Sequence, residues 1–201
     1  MSTSALPTIA VIVASTRTHH RFAEHPLAWT RSRLAERDDL NVDVIDLLDH
    51  PLPFYDLPTP PAMAPRHYAS EEHRVLGERL EAADGFFVIT SEFNHGYPAA
   101  LKNALDHYLV EFRRKPMAFL GYGNVGGSRA IEQLRQVAAE LEMVSIKPSV
   151  NILGIQMATV RKGGDESAAI LTSHIPKFNL TVHELLWWAT ALRLAREADA
   201  A

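Results

Sequence analysis

Residues 85–106 join an unbroken apolar run to a polar loop and then to a helix, and few folds accommodate that order. Gly85-Phe86-Phe87-Val88-Ile89-Thr90 has no alternation of apolar and polar positions, so it predicts a strand buried on both faces, as in a parallel sheet. Ser91 to Tyr97 follows as a tight polar loop, and Pro98 opens a helix in its first turn, where a missing N–H is tolerated. Thr8–Ala14 is a second uninterrupted, β-branched run and Pro116–Tyr122 another, each leading into a loop and a helix. Open parallel sheets hold ligands outside the carboxyl ends of their strands, which is where Glu92, Phe93, Asn94 and His95 fall.

The remaining pattern completes an α/β chain. Helices are predicted over Phe22–Arg37, Ser70–Ala83, Pro98–Phe112 and Arg129–Leu141, the second with Ser70 as its cap. Asn41–Asp46 and Met143–Ile146 supply two further strands. His50–Pro65 carries most of the prolines and reads as an irregular connection. After a polar loop at Gly163–Ser167 the chain is mostly helical to Arg196. Trp187 and Trp188 on that last stretch read first as core and second as a dimer surface. The β-α-β-α order predicts one domain over residues 1–201: a doubly wound, three-layered, five-stranded parallel sheet. Ligand loops after strands one, three and four favour the flavodoxin-like order 2-1-3-4-5.

Composition narrows the chemistry. The chain has 201 residues, of which 47% are hydrophobic, enough for a sizeable core. A net charge of −4 gives no footing for nucleic acid or an anionic membrane surface, and no apolar run is long enough to span a bilayer. There is no cysteine, so thiol redox chemistry and thiolate metal sites are excluded, and any electrons must reside on a bound cofactor. Met1–Pro7 lacks a basic region followed by an apolar core, so a cytoplasmic protein without a signal peptide is expected.

The loop Ser15-Thr16-Arg17-Thr18-His19-His20-Arg21 offers hydroxyls, a helix N-terminus and two guanidinium forks, a set that binds phosphate or merely caps a helix. It has no glycine, so neither a Walker loop nor a Gly-x-Gly-x-x-Gly fingerprint is present. Gly121-Tyr122-Gly123-Asn124-Val125-Gly126-Gly127 permits close backbone approach to a planar ligand, or is simply a tight turn. His95 has no spaced partner ligands, so no metal site is expected.

These three segments resemble the NADPH-dependent FMN reductase family. Ser91–Asp106 resembles its flavin loop, Pro-Glu-Tyr-Asn-x-x-x-Pro-x-x-Leu-Lys-Asn-Ala-x-Asp, with Ser91 for the Pro and Phe93 for the Tyr. Ser15 and Arg17 match its Gly-Ser-x-Arg loop, with Ala14 for the Gly. Arg21 resembles a second Arg of one branch, with Phe22 where that branch has Gly. Gly121 stands where the family often has Ser. The resemblance implies that Ser15, Arg17 and Arg21 hold the phosphate of flavin mononucleotide (FMN), with Phe22 beside them. Glu92, Phe93, Asn94, His95, Tyr122, Gly123 and Gly126 would line the ring. It also implies NADPH or NADH as hydride donor, a small-molecule acceptor (quinone, azo compound, flavin or metal oxyanion), ping-pong turnover and a homodimer or tetramer. No side chain is assigned catalysis, the flavin carrying the chemistry. Lys102, Asn103 and Asp106 are expected to be structural. An electron carrier of the same fold, and a relative serving as a binding module without flavin, are the other readings.

Overall fold

The structure, a computed structural model, describes residues 5–200; the reading of Met1–Ser4 as free of a leader lies outside the described residues. The elements run β1 (Thr8–Val13), α1 (Glu24–Ala35), β2 (Asn41–Asp46), α2 (Glu71–Ala82), β3 (Gly85–Ser91), α3 (Ala99–Asp106), β4 (Pro116–Gly123), α4 (Ser128–Glu140), β5 (Val144–Leu153), α5 (Gly154–Lys162), α6 (Gly164–Ser173) and α7 (Ile175–Ala200). The five strands form one parallel sheet in the order β2-β1-β3-β4-β5, as expected.

Period-2 side-chain alternation divides the unbroken apolar runs between two cores. Ala10, Ile12, Phe86, Val88, Met117 and Phe119 face α2, α3 and α4, while Val11, Val13, Phe87, Ile89, Ala118 and Leu120 face α1, α5 and α7. Every residue of β3 is buried, which is why its sequence needs no polar face. Each fully buried Phe or Ile stabilises the fold by roughly 1.5–3 kcal/mol. Among the described residues no helix is long and apolar enough to cross a membrane.

Several boundaries depart from the sequence reading for local reasons. α1 is shorter than Phe22–Arg37, because Phe22 and Ala23 form the turn that buries Phe22 under the sheet edge. α3 ends at Asp106, six residues before Phe112. Glu111 accepts from the Leu109 N–H, and Lys115 Nζ donates to Glu111 O at 2.7 Å, so side chains satisfy the backbone that a longer helix would have used. β5 continues past Ile146 to Leu153. Lys147-Pro148 interrupts the apolar run, but β5 is an edge strand, and its register against β4 shifts between Met117 and Phe119 to absorb the proline. Most of the expected loop at 163–167 is helix, with Gly163 and Gly164 at φ of 74° and 76° making the break before α6. Ser70 caps α2 as predicted, accepting from the His73 N–H at 3.2 Å.

The segment predicted as helix over Pro98–Phe112 carries Leu101, Leu105, Tyr108, Leu109 and Phe112 beside the proposed flavin loops; Leu109 is half-buried and the other four are buried in the chain's own core, so they offer little to a subunit boundary. Trp188 packs against the α1/α7 core, whereas Trp187 is 58% exposed.

Candidate functional site

Register decides where the loops meet. Val13 pairs with Asp46 and Ile89, and Ser91 pairs with Tyr122, so β1, β2, β3 and β4 all end along one edge. The backbone keeps the edge aligned past the strands: Ala14 N donates to Ile89 O at 3.0 Å and Glu92 N to Tyr122 O at 3.2 Å. The loops after β1, β3 and β4 therefore come together although they lie far apart in sequence.

There they line a cavity of about 100 Å³. Ser15, Arg17 and Phe22 come from the first loop, Ser91, Glu92 and Phe93 from the second, and Tyr122 and Gly123 from the third. Met157 and Arg161 of α5, four residues apart on one helix face, close it from the side. Sequence reading missed both, since the C-terminal quarter carries no readable motif. Arg21, Asn94, His95 and Gly126 are not among the residues that line it, and Asn94 and His95 are exposed.

Arg21 is the clearest departure. Its guanidinium faces inward, 6% exposed, paired with Asp46 Oδ1 and Oδ2 at 2.6 Å each, while Nε donates to Ser15 O at 3.0 Å. A fork already committed to a buried carboxylate has little left for a phosphate. Arg21 instead fixes the first loop to the end of β2 and orients Ser15. Arg17, by contrast, is exposed and has no carboxylate or carbonyl partner among the described residues.

The second loop is a two-residue turn closed in both directions, Phe93 N to Gly96 O at 2.8 Å and Gly96 N to Phe93 O at 2.9 Å. Asn94 and His95 occupy its centre at φ of 48° and 70°. Left-handed backbone at non-glycine residues costs about 1–3 kcal/mol each and persists only where neighbours over-determine it. Here they do. Glu92, its side chain 5% exposed, accepts from Arg129 Nε at 2.6 Å and from the Arg129 backbone N–H at 3.2 Å. Arg129 Nη1 also donates to His95 Nε2 at 2.8 Å, and Gln133 Nε2 donates to His95 O at 3.1 Å. Arginine only donates, so His95 Nε2 is the acceptor in this contact. The first turns of α4 thus grip the loop after β3.

In the third loop Gly127 caps α4 at φ 71°, and Asn151 of β5 donates to Gly126 O at 2.8 Å. The glycines let the turn fold back on β4: a Cβ on Gly121 would lie 2.5 Å from Gly126 O. Burial pushes the Tyr122 phenol above its ordinary pKa, against the pull of the Ser15 and Ser91 hydroxyls and the Arg21 and Arg17 charges, so it stays a donor at neutral pH.

Asn103 is structural, as expected. Its amide donates to Leu52 O and Pro53 O at 3.1 and 2.9 Å and accepts from the Tyr55 N–H at 3.2 Å, pinning the proline-rich connection to α3. Lys102 and Asp106 form an exposed pair on the same helix.

The cavity fits the anionic end of a flavin nucleotide. It presents an uncommitted Arg17, a buried Ser15 and a buried Ser91 whose Oγ has no well-formed hydrogen bond. Phe93, 47% exposed, offers an apolar face beside them.

Comparison with known proteins agrees. The sequence model of the family described as NADPH-dependent FMN reductase matches residues 7–157. An NAD(P)H-dependent FMN reductase of Schizosaccharomyces pombe is 33% identical over 169 residues, 84% of this chain and 84% of that protein. A quinone reductase of Escherichia coli is 36% identical over 81 residues, 36% of this chain and 43% of that protein. Among solved structures, the flavoenzyme NAD(P)H:(acceptor) oxidoreductase FerB of Paracoccus denitrificans aligns with a TM-score of 0.64 at 24% identity, over 92% of this chain and 98% of that one.

Proposed function

The chain belongs to the NADPH-dependent FMN reductase family, an oxidoreductase with FMN as cofactor and NAD(P)H as hydride donor, and from that premise we propose that it passes electrons to a small-molecule acceptor of the quinone, azo, flavin or metal-oxyanion class. The observation that carries this reading is the convergence of three loops, from β1, β3 and β4, on one cavity. When bound, FMN supplies the hydride chemistry.

The chain's own residues bind and orient. Ser15 and Arg17 take the phosphate, and Arg21 holds them in place from behind. Glu92 and His95, locked by Arg129, fix the backbone of the loop after β3, whose N–H groups serve as preorganised donors. Phe93 and Tyr122 provide an apolar surface, while Gly123 and Gly126 shape the third loop. None of these is assigned proton transfer.

Donor and acceptor use one exposed face in turn, so each excludes the other. Initial rates with varied NADPH and varied quinone are expected to give parallel double-reciprocal lines. Intersecting lines would mean that both substrates bind together. An electron carrier, the alternative, would be bleached by a partner reductase but not by NAD(P)H alone.

A single domain over residues 1–201 and a homodimer or dimer of dimers are the proposed organisation, in the cytoplasm. Val125, Leu153 and Ile155 support it as an exposed apolar rim where α5 abuts the loop after β4. Light scattering at the chain mass of 22.4 kDa would refute the assembly.

A further inference from the structure

Arg161 lies beyond the residues 7–157 that match the family, yet it lines the same cavity as Ser15 and Arg17. Among the described residues, arginine side chains are tied to a carboxylate or a backbone carbonyl except at Arg17, Arg31 and Arg161. Arg31 is elsewhere, on the exposed face of α1. The other two line one cavity, so an anion bound there has two cations within the same lining.

The Arg161 guanidinium is held rather than loose. Its Cζ lies 5.8 Å from the centre of the Phe22 ring, and that ring, 4% exposed, packs on Tyr122 at 5.0 Å. A cation over an aromatic face is attracted by the ring while its edge stays free to donate. The neighbouring Val160, 1% exposed, anchors this end of α5 in the core. Ser15 and Ser91 add two buried hydroxyls to the same cavity, the second without a well-formed hydrogen bond.

We propose that Arg161 is the second cation of a phosphate clamp, opposite Arg17, and that the clamp takes the 5′-phosphate of FMN. The inference rests on the functional reading above. Planar guanidinium forks suit a phosphate dianion, and neither arginine must leave an intramolecular carboxylate to reach it. Phe22 then has a role of its own, since it is the platform that presents Arg161.

The test uses the full chain stripped of flavin and titrated with FMN and with riboflavin, which lacks the phosphate. Arg161→Gln and, separately, Arg17→Ala are each expected to weaken FMN about ten- to a hundred-fold, while riboflavin changes by less than about twofold. Inorganic phosphate should compete with FMN and not with riboflavin, and should compete less well in Arg161→Gln. Arg161 is exposed, so its replacement leaves the core intact. Equal loss for both flavins would make Arg161 a packing residue and overturn the proposal, as would no loss for either. Unchanged FMN binding with a raised KM for NADPH but not NADH would assign the charge to the dinucleotide's phosphate and overturn it too. If the unaltered chain binds no FMN, the functional reading itself fails; if it binds FMN and Arg161→Gln behaves like wild type, only this inference does.

Discussion

Gly127→Ala is expected to lower the melting temperature by roughly 5–20 °C and to release flavin well before global unfolding. Gly127 sits at φ 71°, and a Cβ there would lie 2.8 Å from Gly121 Cα and 2.9 Å from Tyr122 N. Left-handed backbone costs a non-glycine residue about 1–2 kcal/mol, and forcing an extra carbon against rigid backbone adds about 1–3 kcal/mol. A total of about 2–5 kcal/mol moves the melting temperature of a chain this size by the stated range. The neighbours are main chain on β4, so no side chain can swing aside. The turn must open, carrying the start of α4 and with it Arg129. A thermal melt followed by both circular dichroism and flavin fluorescence reads both effects; a shift below about 2 °C would show that the turn yields freely.

Arg129→Ala should cost roughly 2–3 kcal/mol and loosen the loop after β3. It leaves the Glu92 carboxylate, 5% exposed, without its guanidinium partner. Breaking a fully buried pair costs about 3–5 kcal/mol; Arg129 is 41% exposed and its backbone N–H still reaches Glu92, so the expected loss is smaller. The same substitution removes the bond to His95 Nε2 that helps hold two left-handed residues in place. Glu92→Gln should be milder, because it leaves a cation near water rather than an anion in the core. Denaturant melts of the two variants check the asymmetry, and equal losses would contradict it. Hydrogen exchange at residues 93–96 should rise in Arg129→Ala.

The parts of this fold that sequence made legible are those where one local pattern had one physical meaning. Three apolar runs without alternation require a sheet covered on both faces, and loops at their carboxyl ends require a shared edge. Ser70 names its own cap. Where tertiary contacts decide, sequence falls short. Nothing in the run from Met143 to Leu153 says that an edge strand will absorb Pro148 through a register shift. Nothing around Asp106 says that Glu111 and Lys115 will satisfy the backbone in place of another helical turn.

The site follows the same division. Ser15, Arg17, Glu92, Phe93 and Tyr122 could be read from their loops. Arg21 could not be told from Arg17, because the distinction depends on Asp46, an acid that β2 brings to the same edge. The apolar residues of α3 and the segment after it look like surplus until the sheet they cover is in view. Arg161 and Met157 belong to a helix with no motif, and only the cavity connects them to the rest.

We expect this chain to hold one FMN across the ends of β1, β3 and β4. Incubation of the purified chain with excess FMN and FAD, removal of free flavin, release of the bound fraction by heat and chromatography of what is released test it most directly. The expected result is FMN alone, at about one per chain, bleached by NAD(P)H before release. Recovery of FAD, or of no flavin, would contradict it.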